Sequence, residues 1–312
     1  MTRSLSLAAL LLLTTAAFAK HTHAKAAASH TVSGAEVLRL TQQYVDVAPK
    51  RFIGSPGHDA AENFIRQHFA PEAAKGNFLT DEFYARTPIG QLRMRNFIVK
   101  YPGKKDGIIV LASHYETNYW LKDINFIGAN DGACTTALLI ALGQYYRDHP
   151  PQGYSVWLLF DDGEESITSQ WTDSDSLYGT RHIAAKWSAD GTLGHIKAFV
   201  LADMIGDKDL DILEETQSTP WLRNLLKVAA KDTGHSANVF KTEGSEEDDH
   251  LPFLKRGVPS LDVIDVDYGP HTQATPDGYH HTAQDTMDKI SAQSLQISAD
   301  LFLDLVRLID QR

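Results

Sequence analysis

Cysteine is almost missing from this chain: one residue of 312, Cys134. No intramolecular disulfide can form. Cys134 sits in the apolar run GACTTALLIAL and reads as a small buried side chain rather than a nucleophile. Positive charge is also short. The 29 Lys and Arg face 40 Asp and Glu, a net charge of −11 with no basic cluster. That balance argues against nucleic acid or an anionic membrane as partner. Internal repeats are lacking, and so is low-complexity sequence after residue 33. Long apolar runs are lacking too, apart from the opening MTRSLSLAALLLLTTAAFA. With a basic start, an apolar centre of about ten residues and an A-F-A ending, that opening predicts a signal peptide over 1–19, cleaved after Ala19. It is too short to span a bilayer comfortably. Residues 20–33 (KHTHAKAAASHTVS) read as a flexible linker, although His21 and His23 could hold a metal weakly. The expectation is an exported, soluble monomer, periplasmic or extracellular, with one domain over 34–312.

What is present alternates strands and helices. Residues 34–48 read as an amphipathic helix, and SPGHDAAENFIRQHF as a second, with an N-cap serine and a first-turn proline. Strand candidates are FLTDEFYA, MRNFIVKY, GIIVLASH, YSVWLLFD, IKAFVLAD and PSLDVIDV. Helical segments at 133–148, 176–187 and 218–234 lie between the later ones. A closing helix puts Leu295, Ala299, Phe302, Val306 and Ile309 on one face. Nearly all-apolar strands alternating with helices predict one α/β domain: a three-layer α/β/α sandwich around a mixed, mostly parallel sheet. The first two strands read as an antiparallel hairpin at one edge.

In such sheets ligands bind beyond the carboxyl ends of the strands, and those positions carry a consistent set of side chains. GIIVLAS leads to His114, and GAN-Asp131-GA opens the apolar helix at 133. YSVWLLF leads to Asp161, Asp162, Glu164 and Glu165, and IKAFVLA leads to Asp203. Asp248 lies in EEDDH before the last strand, and His281 in HHTAQDT after it. Imidazoles and carboxylates delivered to one edge suit a borderline cation such as zinc. Each residue alone has a plainer reading: Asp131 as a helix cap, His114 as a loop histidine, Asp248 as a solvated acid, the glutamate pair as helix-terminus charge. The combination is what points to a metal. Of the two glutamates, one can bind the ion while its neighbour serves as general base.

HYETNYW…NFIGANDGA, FDDGEES…W…DSLYGTRH, VLADMIG, EEDDHLPFLKRGVP and HHTAQDT resemble, in order, the motifs of animal-type glutaminyl cyclases. Those enzymes share a fold with the co-catalytic zinc aminopeptidases of the bacterial leucyl aminopeptidase type. The resemblance runs from about residue 51 to the C-terminal helix. The histidine–aspartate–Glu-Glu–aspartate–histidine series belongs to both groups. The long segment holding Trp171, the DSLYGTRHIAAKW and DDHLPFLKRGVP wording and the early ARTPIGQLRMRNFIV tilt it toward the cyclases. The resemblance implies zinc on Asp131, Glu165 and His281, Glu164 as acid/base, and Asp203 and Asp248 as its hydrogen-bonded support. It also implies that Trp171 walls the substrate pocket. Three departures stand out. His280 occupies the place of a cyclase Trp; the loop before it is longer; and Ser113 and Thr136 stand where the animal enzymes have paired cysteines. His280 therefore bears on substrate binding and leaves two adjacent histidines as ligand candidates; the following threonine favours His281.

The implied activity is cyclisation of N-terminal glutamine to pyroglutamate with release of ammonia, the substrates being peptide or protein N-termini. In an aminopeptidase reading, His114 and Asp203 would hold a second zinc ion bridged by Asp131, and Glu164 would activate water. A non-catalytic zinc-binding protein is a third reading, disfavoured by the intact Glu164.

Overall fold

The segment Ile108–His114 is buried at every position. Its side chains alternate between two apolar clusters, Ile109 and Leu111 entering one and Ile108, Val110 and Ala112 the other. A strand with no solvent face belongs inside a sheet covered on both sides. The computed structural model, which describes residues 32–273 and 275–312, places it there. The expected signal peptide and most of the expected linker, including His21 and His23, lie outside the described residues. Val32 is buried, and Gln296 grips its carbonyl at 2.9 Å and the Gly34 N–H at 2.8 Å.

In chain order the elements are α1 (Gly34–Val47), α2 (Pro56–His68), α3 (Ala70–Ala74), β1 (Phe78–Thr87), β2 (Gly90–Tyr101), β3 (Ile108–His114), α4 (Cys134–Asp148) and β4 (Ser155–Asp161). There follow α5 (Tyr178–Asp190), β5 (Ile196–Asp203), β6 (Ile212–Glu215), α6 (Pro220–Thr233), β7 (Val239–Gly244), α7 (Leu251–Leu254), β8 (Ser260–Ile264) and α8 (Ala292–Asp310). The main sheet runs β1-β2-β4-β3-β5-β8. The β1–β2 hairpin is antiparallel at one edge, as the sequence predicts, and β2 joins β4 antiparallel. The pairs β4–β3, β3–β5 and β5–β8 are parallel. Helices α1, α4, α6 and α8 cover one face through residues such as Leu40, Leu138, Leu226 and Phe302. Ile183 and Trp187 of α5, with Phe253 of α7, cover the other.

Local signals act where expected. The Ser55 hydroxyl caps α2 by accepting from the His58 N–H at 2.9 Å, with Pro56 at the first turn. The predicted apolar face of α8 is buried throughout, and its Leu, Phe, Val and Ile each contribute roughly 1.5–3 kcal/mol. Two boundaries differ. Helix α5 starts at Tyr178 rather than 176 because Leu177 takes a left-handed φ of 50°. The last strand stops at Ile264, short of the predicted 266. Strands β6 and β7, which pair with each other in a small separate sheet, have no counterpart among the predicted strands. Four and six residues long, with β7 mostly exposed, they carry little apolar signal.

Because β3 has β4 on one side and β5 on the other, the winding reverses beside it. Its carboxyl end is the switch point at which open α/β sheets bind ligands.

Candidate active site

His114 ends β3, Asp203 ends β5, and Glu164 and Glu165 follow β4 after a turn at Gly163, φ 73°. Asp131 lies in the turn Ala129–Ala133 that leads into α4, and Asp248 follows β7. The long loop after β8 brings His280 and His281 back over this edge. One cavity of about 530 Å³ is lined by Asp131, Glu164, Glu165, Trp171, Asp203, Asp248, His280 and His281. His114 lies beside it, 1% exposed. The candidate ligands, the acid/base Glu164 and the pocket residues Trp171 and His280 are thus brought to one place.

The spacing is that of metal ligands. His281 Nε2 is 3.0 Å from Glu165 Oε1 and 3.5 Å from Asp131 Oδ2. The other Asp131 oxygen is 3.2 Å from His114 Nε2, which is 3.4 Å from Asp203 Oδ1. Ligand atoms about 2.0–2.1 Å from a tetrahedral ion stand about 3.3 Å apart. Asp131 therefore stands between two donor groups, one with His281, which also meets Glu165, and one with His114 and Asp203. Both ring nitrogens of His114, Asp131 Oδ2 and Asp203 Oδ1 are buried without a hydrogen bond of ordinary geometry. Each such orphan costs about 1–3 kcal/mol, and a cation would satisfy them. The residues present fit a divalent ion that takes nitrogen and oxygen ligands. His280 brings a ring nitrogen within 4.8 Å of donor atoms of Asp131 and His281. It packs on the His281 ring at 3.7 Å between centroids, while His281 makes the Glu165 contact.

Charge explains the crowding. Burial, then repulsion from Glu165, pushes Glu164 well above the usual carboxylate range. Burial and the neighbouring Asp203 do the same to Asp248. Burial would also raise Asp131, but the close approach and attraction of His114, with the charge of His281, hold it well below. Burial depresses His281, yet Glu165 and Asp131 win and lift it to about 9. His280, buried beside that charge, is pushed down to about 4 and is a neutral donor/acceptor at neutral pH.

The four acids after β4 separate by direction. Asp162 turns away to accept from His58 Nε2 at 2.9 Å and the Arg95 N–H at 2.7 Å. Asp161 is buried against Asp249, and burial with that repulsion pushes its carboxyl well up. Only Glu164 and Glu165 reach the cavity.

Several supporting residues escape sequence reasoning. Asp285 accepts the N–H groups of Asn130 at 2.8 Å and Asp131 at 3.1 Å, and the Tyr268 hydroxyl at 2.7 Å. The buried Arg51 donates to the carbonyls of Gly128 and Asp131, both at 2.8 Å, and of Tyr115 at 2.9 Å. Together they fix the turn that presents Asp131. Gly132 in that turn has φ 81°, and a Cβ there would lie 2.8 Å from His114 Cε1, so the turn needs glycine. Asn118 donates to Glu165 Oε2 and lies 3.1 Å from His281 Nε2. Glu116 accepts the Glu165 N–H at 3.1 Å, and burial lifts its own carboxyl to about 7. Asn118 and Glu116 lie in HYETNYW, Arg51 in RFIGSPG and Asp285 in HHTAQDT, so the quoted motifs contain them without revealing their targets. His281 at φ 53° and Met204, next to Asp203, at φ 50° hold left-handed backbone at the site, at about 1–3 kcal/mol each.

At the positions of the cyclase cysteines, hydroxyls make hydrogen bonds instead. Ser113 Oγ donates to Thr135 Oγ1 at 2.7 Å and Thr136 Oγ1 to the His114 carbonyl at 3.1 Å. Cys134 is fully buried, as expected of a small core side chain. Trp171 stands on a loop organised by Asp175, whose carboxylate takes the N–H groups of Ile167 and Thr168, both at 3.0 Å, and the Tyr178 hydroxyl at 2.7 Å.

The model of Peptidase family M28 matches residues 96–306. The crystal structure of Acidobacteriales bacterium glutaminyl cyclase is 64% identical, covers 96% of this chain and 100% of its own, and superposes with a TM-score of 0.90. A glutaminyl-peptide cyclotransferase from Drosophila melanogaster is 29% identical over 267 residues, 77% of this chain and 73% of its own. The fold is shared with a Zn-dependent exopeptidase from Parabacteroides distasonis, 20% identical, with 90% and 99% of the two chains covered and a TM-score of 0.77. Motifs, site geometry and comparisons agree: the chain belongs to Peptidase family M28 and, within it, to the glutaminyl cyclases.

Proposed function

We propose that this protein is a zinc-dependent glutaminyl-peptide cyclotransferase, converting N-terminal glutamine of peptides to pyroglutamate with release of ammonia. The observation that carries the reading is Glu164: a buried carboxyl beside the Asp131–Glu165–His281 donors, facing a cavity walled by Trp171. The names of the relatives described above support it.

Asp131, Glu165 and His281 would hold the zinc, which when bound supplies Lewis acidity toward the γ-carboxamide oxygen. The substrate's α-amine attacks the carbonyl carbon of that carboxamide (Cδ), the N–Cδ ring bond forms, and the bond from Cδ to the carboxamide nitrogen breaks. Glu164 takes the proton that the amine loses and delivers it to the departing nitrogen. Asp203 and Asp248 crowd the acidic wall beside it. Carboxylates packed this closely resist ionising together, which keeps a proton within reach of the reacting atoms. Trp171 and the neutral His280 line the space in which the glutamine side chain must fold back. No water is consumed.

The His114–Asp131–Asp203 group favours a second reading, a metallo-aminopeptidase with one or two ions in which Glu164 activates water. Incubating the purified protein with a glutaminyl peptide and with a leucyl anilide separates the two. Pyroglutamyl peptide with ammonia and no anilide cleavage is the expected result; anilide cleavage without pyroglutamate sinks the cyclase reading. Export to the periplasm or the cell exterior, directed by residues 1–19, and action as a monomer complete the proposal.

A further inference from the structure

A second cavity of about 270 Å³ adjoins the first. Trp171 and Glu247 line both and form the partition, tied by the indole N–H donating to Glu247 Oε2 at 3.1 Å. The two spaces are opposite in charge. Acids dominate the first, whereas Arg181, Lys255 and Arg256 line the second, with Asp173 and Glu247 as its carboxylates. In a chain of net charge −11, three cations around one small hollow are a local reversal.

The two arginines are anchored to neutral oxygens, with no ion pair to either among the described residues. Arg181 donates to the carbonyls of Leu177 at 3.3 Å and Asp173 at 2.8 Å, and its guanidinium lies over the Tyr178 ring. Arg256 donates to the Pro252 carbonyl at 2.8 Å, and Lys255 extends into solvent. Their hydrogen bonds thus go to neutral backbone oxygens and fix direction without cancelling charge. The buried Leu251 and Pro252 give the hollow an apolar floor. A peptide whose first residue occupies the acidic cavity must lead its later residues out past the rim, and the Trp171–Glu247 partition borders the basic hollow.

Building on the cyclotransferase reading, we propose that this hollow is a subsite for a carboxylate a few residues downstream of the reacting N-terminus. The favoured substrates are then short peptides that are acidic after their N-terminal glutamine. The carboxylate can be a Glu or Asp side chain or the C-terminus itself. Charge pairs at a partly solvated site are worth up to about 1 kcal/mol each, which is about fivefold in kcat/KM.

The test uses five-residue peptides beginning with glutamine, with Glu, Gln or Lys at positions three to five, each as free acid and as C-terminal amide. For the wild-type protein the expected order is Glu over Gln over Lys, about fivefold per step, narrowing in 0.5 M NaCl as exposed charges are screened. In the double variant K255S/R256S the Glu-to-Gln ratio falls toward one. A free-acid advantage that persists with Gln side chains assigns the subsite to the C-terminus; a Glu-over-Gln advantage that persists in the amides assigns it to side chains. Equal wild-type rates for all three series with no advantage of free acid over amide, or an acidic preference that survives K255S/R256S, overturns the proposal. If no peptide yields pyroglutamate, it is the cyclotransferase reading that fails. The subsite is then judged by equilibrium binding of the same peptides carrying a fluorophore, where equal affinity for Glu and Gln series overturns it.

Discussion

Asp285 never faces the reacting groups, yet it holds the turn that presents Asp131, and removing that hold should show first in the metal. Asp285→Asn keeps an oxygen for the Asn130 N–H but sets an NH₂ against the Asp131 N–H, now 3.1 Å from an acceptor. An unsatisfied buried donor costs about 1–3 kcal/mol. Burial and the charge of Asp131 already lift the Asp285 carboxyl to about 6, so a neutral side chain offsets part of that loss at neutral pH. The net change in stability of the metal-free protein is therefore small, about 1 kcal/mol in urea unfolding. The metal is a different matter. With its amide unsupported, Asp131 loses orientation in both donor groups, and losses of this kind reduce metal affinity about 10–100-fold. Chelator competition with zinc on the folded variant reads this out. Asp285→Ala, which strips acceptors from two N–H groups and the Tyr268 hydroxyl, should cost roughly 3–6 kcal/mol, a large share of a typical domain's stability. If Asp285→Asn binds zinc as tightly as wild type, the turn is not held in the way described here.

Three other expectations are simpler. Glu164→Gln should lower kcat at least about 100-fold while peptide binding and thermal stability persist, since it removes a proton carrier and a buried like charge. Gly132→Ala should cost roughly 1–3 kcal/mol and most of the activity, because left-handed backbone and a Cβ 2.8 Å from His114 Cε1 leave no room; a fully active, stable variant would contradict this. Asp265, lifted to about 8 by burial, is protonated when folded and ionised when unfolded between about pH 4 and 8. Its contribution is therefore complete below about pH 4 and lost as pH rises through 8, with a slope of up to about 1.4 kcal/mol per pH unit. Asp265→Asn should thus gain on wild type in urea titrations between pH 6 and pH 8; parallel curves would refute the assignment.

The residues after the strands were legible because strand, turn and acid are contiguous: YSVWLLFDDGEES carries its own address. The pairing of the first two strands was legible for the same reason. Within that stretch the sequence could not divide the labour. Asp162 faces His58 and Arg95 while Asp161 faces Asp249, a choice set by packing from both sides of the sheet. Asp285 lay in a quoted motif, but its target is 154 positions earlier, and no local pattern encodes that approach. Arg51, fully buried, looks in sequence like any surface arginine. The two histidines of the HHT motif were separated by contact: His281 meets Glu165, and His280 packs behind it. Strands β6 and β7 went unseen because one is only four residues long and the other mostly exposed, so neither has enough apolar positions to set a period.

The central claim is that Glu164 closes a ring rather than activating water. The measurement that tests it most directly is mass spectrometry of a glutaminyl peptide turned over in ¹⁸O-labelled water. Expected is a full-length product lighter by one ammonia, free of ¹⁸O, with ammonia released in equal amount and the signal abolished by Glu164→Gln. A peptide shortened by one residue, with free glutamine carrying ¹⁸O in its carboxylate, would contradict it.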